Sequence, residues 1–173
     1  QRSVYDQAVE IAAAQANATK VDLPSNSGNH IGPLVSEAQF NKVQSMIQAG
    51  IDEGARLVAG GVGRPEGMNR GWFVKPTVFA DTTANMTIIR EEIFGPVLAL
   101  MPFDSVEEAI TLANDTPYGL AAYIQTGDKE RAKRVAARLR AGMIQVNGAS
   151  RAAGSPFGGY KQSGIGREGG FWG

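Results

Sequence analysis

The chain has 173 residues, with 17 Lys and Arg balanced by 17 Asp and Glu. Its zero net charge lacks the positive excess that nucleic acid or an anionic membrane surface demands of a partner. The 43% hydrophobic and 20% charged composition is that of an ordinary globular protein, and one domain of this length can bury a sizeable core. No apolar stretch is long enough to predict a membrane-spanning helix. The absence of cysteine excludes a disulfide, a thiolate metal site and a cysteine nucleophile within the chain.

In chain order, residues 4–18 predict a helix with Val4, Ala8, Ile11 and Ala12 on its inner face and Ser3 and Asp6 at its start. Residues 21–35 carry loop chemistry, rich in Pro, Asn, Ser and Gly. Ser36 then caps a second helix with Phe40, Val43, Met46, Ile47 and Ile51 facing inward. Residues 56–61 predict a short strand. After a glycine-rich turn, residues 72–80 predict another, with Pro76 marking an edge or a bend. One helical turn is expected over 86–91 and a buried strand over 97–103. Ser105 caps a helix with Val106, Ala109, Ile110 and Ala113 inward, and Glu107 and Glu108 suit its first turn. A strand over 120–126 leads to a helix capped by Asp128, with Ala132, Val135, Ala136 and Leu139 inward. Gly142 is expected to end that helix, and 143–146 to form a strand. Beyond Asn147 there is no periodicity. Strands alternating with amphipathic helices predict an α/β fold, layered αβα around a mostly parallel twisted sheet, in one domain without a linker or an internal repeat. No signal peptide opens the chain. Its first helix begins almost at Gln1, and its end at 169–173 has no closing element. Together these suggest a piece of a longer protein.

Several segments could carry chemistry. Arg90-Glu91-Glu92-Ile93-Phe94-Gly95-Pro96-Val97 places two carboxylates before a turn at the entry to a buried strand. Gly95 lets a ligand or backbone approach, and a carboxylate there could accept both hydroxyls of a ribose. On composition alone, a solvated helix end is the commoner explanation. Gly164-Ile165-Gly166-Arg167-Glu168-Gly169 matches the glycine fingerprint of dinucleotide sites only formally, because no strand precedes it and no acidic residue about 20 positions on can follow. His30 is the only histidine, so a metal cluster of conventional type is not expected. The basic residues between Lys129 and Arg140 lie opposite the apolar side of their helix and read as a solvated face. Arg151, in the small-residue loop 148–155, could pair with an acidic substrate group, although such an arginine is more often simply solvated.

Four blocks taken together go further. They are Gly71-Trp72-Phe73-Val74-Lys75-Pro76-Thr77-Val78-Phe79, Glu91 to Val97, Ala113-Asn114-Asp115-Thr116-Pro117-Tyr118-Gly119-Leu120-Ala121-Ala122, and Pro156-Phe157-Gly158-Gly159-Tyr160-Lys161-Gln162-Ser163-Gly164 running on to Arg167-Glu168. In order and spacing they resemble the aldehyde dehydrogenase superfamily, over nearly the whole chain. Ile31-Gly32-Pro33-Leu34 and Val146-Asn147 also fit. The resemblance implies residues 1–173 of the C-terminal part of a catalytic domain, lacking the dinucleotide-binding domain and the terminal oligomerisation strand. In that family a cysteine thiolate attacks an aldehyde, NAD or NADP accepts a hydride, and water releases the acid. The cysteine, the oxyanion-binding asparagine and the water-activating glutamate would all lie outside this chain, which by itself would be inactive.

By the same resemblance, Glu92 would hold the nicotinamide-ribose hydroxyls and Phe94 would lie against that end of the cofactor. Asn147, Arg151 and Phe157 would border the aldehyde entrance. The implied whole enzyme is a cytoplasmic homodimer or homotetramer acting on a small aldehyde, without nucleic acid, membrane or metal. Two alternatives remain at this point: a non-catalytic module of the same fold, and a CoA-acylating semialdehyde dehydrogenase.

Overall fold

The structure, a computed structural model, describes residues 1–169 and 171. It divides into two compact units, residues 1–102 and 103–173, where the sequence alone suggests one continuous domain.

In the first unit, α1 (Tyr5–Ala18) is followed by α2 (Glu37–Asp52), β1 (Arg56–Ala59), β2 (Thr77–Ala80), a short α3 (Thr87–Arg90) and β3 (Val97–Ala99). The strands form one sheet in the order β1-β2-β3, antiparallel between β1 and β2 and parallel between β2 and β3. All four residues of β2, the central strand, are buried. The expected strand over 72–80 begins only at Thr77. Pro76 has no N–H to give a ladder, and the Thr77 N–H is the first to pair, with the Pro96 carbonyl at 2.8 Å. Phe73 and Val74 reach the core from non-strand backbone instead.

Ser36 caps α2 as its sequence predicts, accepting the Gln39 N–H at 3.2 Å. Phe40, Val43 and Ile47 pack with Val74, Phe79, Met86 and Ile88 to form the core. At the end of α2 the inward position is Gly50, whereas Ile51 is exposed. The rim of the Phe79 ring and the Ile88 side chain approach Gly50 so closely that even a Cβ there would lie 3.0 Å from each. On α1, too, the buried face differs from the expected one. Val4, Ala8 and Ile11 are exposed, and Val9 is the buried residue. Tyr5 sets this rotation: its hydroxyl donates to the Leu100 carbonyl at 3.0 Å and accepts the Asp81 N–H at 2.6 Å. Ser3 and Asp6 make no side-chain cap, and a 3-10 turn, Arg2–Val4, leads into the helix.

The second unit contains α4 (Val106–Asn114), β4 (Ala121–Ile124), α5 (Lys129–Ala136) and β5 (Met143–Val146). Strands β4 and β5 pair in parallel, residue for residue from Ala121↔Met143 to Ile124↔Val146. The two predicted caps are present, the Ser105 hydroxyl accepting from Glu108 N at 3.1 Å and the Asp128 carboxylate from Arg131 N at 2.9 Å. Ala132 is buried, and the basic residues of α5 are exposed. Helix α5 ends at Ala136, ahead of Gly142. Gly142 instead packs against the Gly158 carbonyl, where any side chain would collide.

The tail after β5 has no long element. A two-residue antiparallel bridge joins Phe157 and Glu168, with reciprocal N–H···O bonds of 2.7 Å. A 3-10 turn, Lys161–Ser163, lies within the span it closes. Among the described residues, no strand immediately precedes Gly164–Gly169 and no helix begins within it, whereas a dinucleotide fingerprint needs both. The tip of the tail, at Gly170, Trp172 and Gly173, lies outside the described residues.

Candidate functional site

The acidic pair begins where α3 ends. Helix α2 supplies the scaffold for this segment through side chains one turn apart. Lys42 Nζ donates to the Glu92 carbonyl at 2.6 Å, and Gln39 Nε2 donates to the carbonyls of Ile93 at 2.9 Å and Phe94 at 3.0 Å. Three successive carbonyls are thus held against one helix. At the other end of α2, Glu53 accepts the Thr87 N–H at 2.7 Å and so fixes the start of α3.

Phe94 turns the chain with a φ of +58°. A non-glycine residue in this region costs roughly 1–2 kcal/mol, and such strain persists only where the surroundings hold it. Here the surroundings are the two carbonyl clamps and Gly95, which lies directly on Val43: a Cβ on Gly95 would stand 2.7 Å from Val43 Cγ2. With the backbone bound to α2, Glu92 is left exposed, and Phe94 is 72% exposed. An acceptor-rich carboxylate and a flat ring, both solvent-exposed on an immobilised turn, are suited to vicinal hydroxyls and to a planar group. Gln39 and Lys42 carry no motif in the sequence. Their only signal is that two long donors occupy positions i and i+3 beside the buried Phe40 and Val43.

A groove of about 340 Å³ runs between α1 and the strands, bordered by Ala12, Ala16, Pro96, Val97 and Leu98. No acidic, basic or nucleophilic sulfur group lines it.

In the second unit, Asn147, Arg151 and Phe157 fall on one irregular segment. Asn147 and Gly148 both have positive φ, +53° and +74°, and Ala149 N donates to Val146 O at 3.1 Å, the pattern of a tight turn that favours Asn-Gly. The Asn147 amide faces back onto Thr126, its oxygen accepting the Thr126 N–H at 2.8 Å and its nitrogen donating to the Thr126 carbonyl at 2.9 Å. Arg151 curls over its own loop: Nη1 donates to the Ser155 carbonyl at 2.5 Å, and the guanidinium lies 5.9 Å from the centre of the Phe157 ring. Phe157 is 40% exposed. Lys161, at the base of the tail, donates to the Asn114 and Thr116 carbonyls at 2.8 and 2.9 Å, meeting the C-terminal end of α4 with positive charge.

The chain matches the aldehyde dehydrogenase family over residues 1–173 and belongs to it. It is 51% identical over 150 residues to 3-succinoylsemialdehyde-pyridine dehydrogenase of a Pseudomonas species, covering 87% of this chain and 31% of that protein. Among solved structures it is similar to aldehyde dehydrogenase from Bartonella henselae, at 55% identity and a TM-score of 0.98 over 99% of this chain and 36% of the other. It is also similar to a cysteine-to-alanine variant of aldehyde dehydrogenase C from Pseudomonas syringae, complexed with NAD+ and octanal, at 48% identity and a TM-score of 0.95 over 98% and 35%. This agreement establishes the α/β fold predicted from the sequence, with the β2–β3 and β4–β5 pairings parallel and β1–β2 antiparallel. The chain spans about a third of the length of the relatives it matches. No helix among the described residues is long and apolar enough to cross a membrane.

Proposed function

We propose that this chain is the C-terminal part of the catalytic domain of an NAD(P)-dependent aldehyde dehydrogenase, contributing one wall of the cofactor site and one wall of the aldehyde entrance. The observation that carries the reading is the clamped turn at 92–95. Its carbonyls are bound to Gln39 and Lys42, which leaves the Glu92 carboxylate and the Phe94 ring exposed. Glu92 accepts the vicinal hydroxyls of the nicotinamide ribose through its two oxygens, and Phe94 packs against the neighbouring part of the cofactor. When bound, the nicotinamide supplies a hydride acceptor. The nucleophile comes from outside this cysteine-free chain, by analogy with the relative in which a cysteine was replaced by alanine. The residues here therefore bind and orient, and they perform no covalent step. The loop 148–155, with Arg151 and Phe157 on it and at its end, borders the aldehyde. Its small residues and single guanidinium suit a polar or acidic aldehyde.

The test is Glu92→Gln in the whole enzyme. Gln keeps the size but loses one acceptor and the charge, so the Kd for NAD+ or NADP+, read by quenching of protein fluorescence, is expected to rise about tenfold, the scale of one charge-assisted hydrogen bond. A cofactor Kd equal to that of the wild type removes Glu92 from the cofactor site.

A further inference from the structure

The loop assigned above to the aldehyde side is fastened in three places. At its far end, Phe157 and Glu168 exchange 2.7 Å backbone bonds. Within it, Arg151 ties to the Ser155 carbonyl. At its start, among the described residues, the side-chain fastening is Asn147. This residue has left the β5 ladder, which ends at Val146, yet its backbone N–H still donates to Ile124 O at 2.8 Å. Its amide then binds the N–H and the carbonyl of Thr126, as a neighbouring strand residue would. The side chain thus replaces the next rung of the ladder while the backbone is free to turn. The positive φ of Asn147 and Gly148 directs the chain away from the sheet at that point. Asparagine is suited to both tasks, because its short amide carries one donor and one acceptor and it tolerates this backbone region better than other non-glycine residues.

We infer that Asn147 is a positioning residue: its amide clip to Thr126 sets the exit direction of the 148–155 loop and thereby the aldehyde side of the site. It does not itself contact the substrate. This rests on the reading of that loop as the aldehyde wall.

Two variants of the whole enzyme separate the clip from backbone strain. Asn147→Gly accepts the positive φ and loses both clip bonds. Asn147→Asp keeps the shape and one acceptor, but aims a second acceptor at the Thr126 carbonyl. In both, amide hydrogen exchange over 148–155 is expected to accelerate and the KM for the aldehyde to rise roughly five- to tenfold, the scale of one to two net hydrogen bonds. The kcat, the KM for the cofactor and the melting temperature should change little, a split that a general loss of stability would not produce. Loop exchange at the wild-type rate in both variants overturns the inference, as does a parallel rise in the aldehyde and cofactor KM values. Faster exchange with an unaltered aldehyde KM upholds the clip and overturns instead the assignment of the loop to the substrate side.

Discussion

Gly95 offers a direct test of how the turn is held against α2. A Cβ at this position would lie 2.7 Å from one Val43 methyl and 3.1 Å from the other, and Val43 is completely buried. Val43 has no room to give way, so Gly95→Ala overpacks this contact at a cost of about 1–3 kcal/mol. Val43→Ala removes two buried methyls, costing roughly 1.6 kcal/mol in transfer energy with a cavity term added. The double variant places the new methyl in the space vacated by the old ones. Its destabilisation should therefore approach that of Val43→Ala alone, with a favourable coupling of about 1 kcal/mol or more between the two sites. The assay is the apparent melting temperature of the four proteins in the whole enzyme, with the cofactor Kd measured in parallel. Gly95→Ala should weaken cofactor binding, and Val43→Ala should restore most of it. Strict additivity in melting temperature would refute the account of Gly95 as a close-contact position against Val43.

Two further outcomes follow from charged groups. Lys20, the Leu23 N–H and the Asn26 amide hold the Asp22 carboxyl down to about 2 from its ordinary 3.8. A depressed carboxyl stabilises the fold above its unfolded value and loses that contribution as pH falls through its folded one. Stability carried by Asp22 is thus present above about pH 4 and lost toward pH 2, and Asp22→Asn should flatten the melting-temperature profile in that window; a profile identical to the wild type would contradict it. Arg151→Ala removes the loop's internal tie and its positive charge, so the KM should rise for acidic aldehydes by about tenfold and much less for neutral ones of equal length; equal kinetics with acidic aldehydes would limit Arg151 to stapling its own loop.

What could be read in advance depended on range along the chain. The caps Ser36, Ser105 and Asp128 act within one helical turn, and all three are realised. The strand at 143–146 is likewise bounded by local signals. The face of α1 was not legible, because its rotation is fixed by a tyrosine hydroxyl reaching Leu100 and Asp81, far along the chain. The exchange of Gly50 for Ile51 has the same origin: periodicity counts side chains, whereas here an incoming Phe79 ring requires that one be missing. At the candidate site, the acidic pair is visible in the sequence as a possible ribose-hydroxyl acceptor, but composition alone favours a solvated helix end, and only the resemblance of whole blocks reverses that preference. Gln39 and Lys42 act through backbone carbonyls, which no side-chain pattern records. The Asn147 amide clip depends on Thr126, two residues past the end of β4 and 21 positions back along the chain, so no local pattern announces it.

The second unit also contains a seam made almost entirely of main chain. Gly142 abuts the Gly158 carbonyl, Gly158 abuts that of Gly166, and Gly119 lies against that of Arg140; an added methyl at any of the three would meet backbone. By contrast, Gly148 and Gly154 have open space around the position of a Cβ. Variation in the sequence is therefore channelled. The seam admits essentially one residue type, while the adjoining loop can accept new side chains at the cost of its left-handed turns alone. On the proposed assignment of this loop to the aldehyde side, a library aimed at changing the aldehyde accepted would be confined to residues 149–153, leaving the seam and Asn147 untouched.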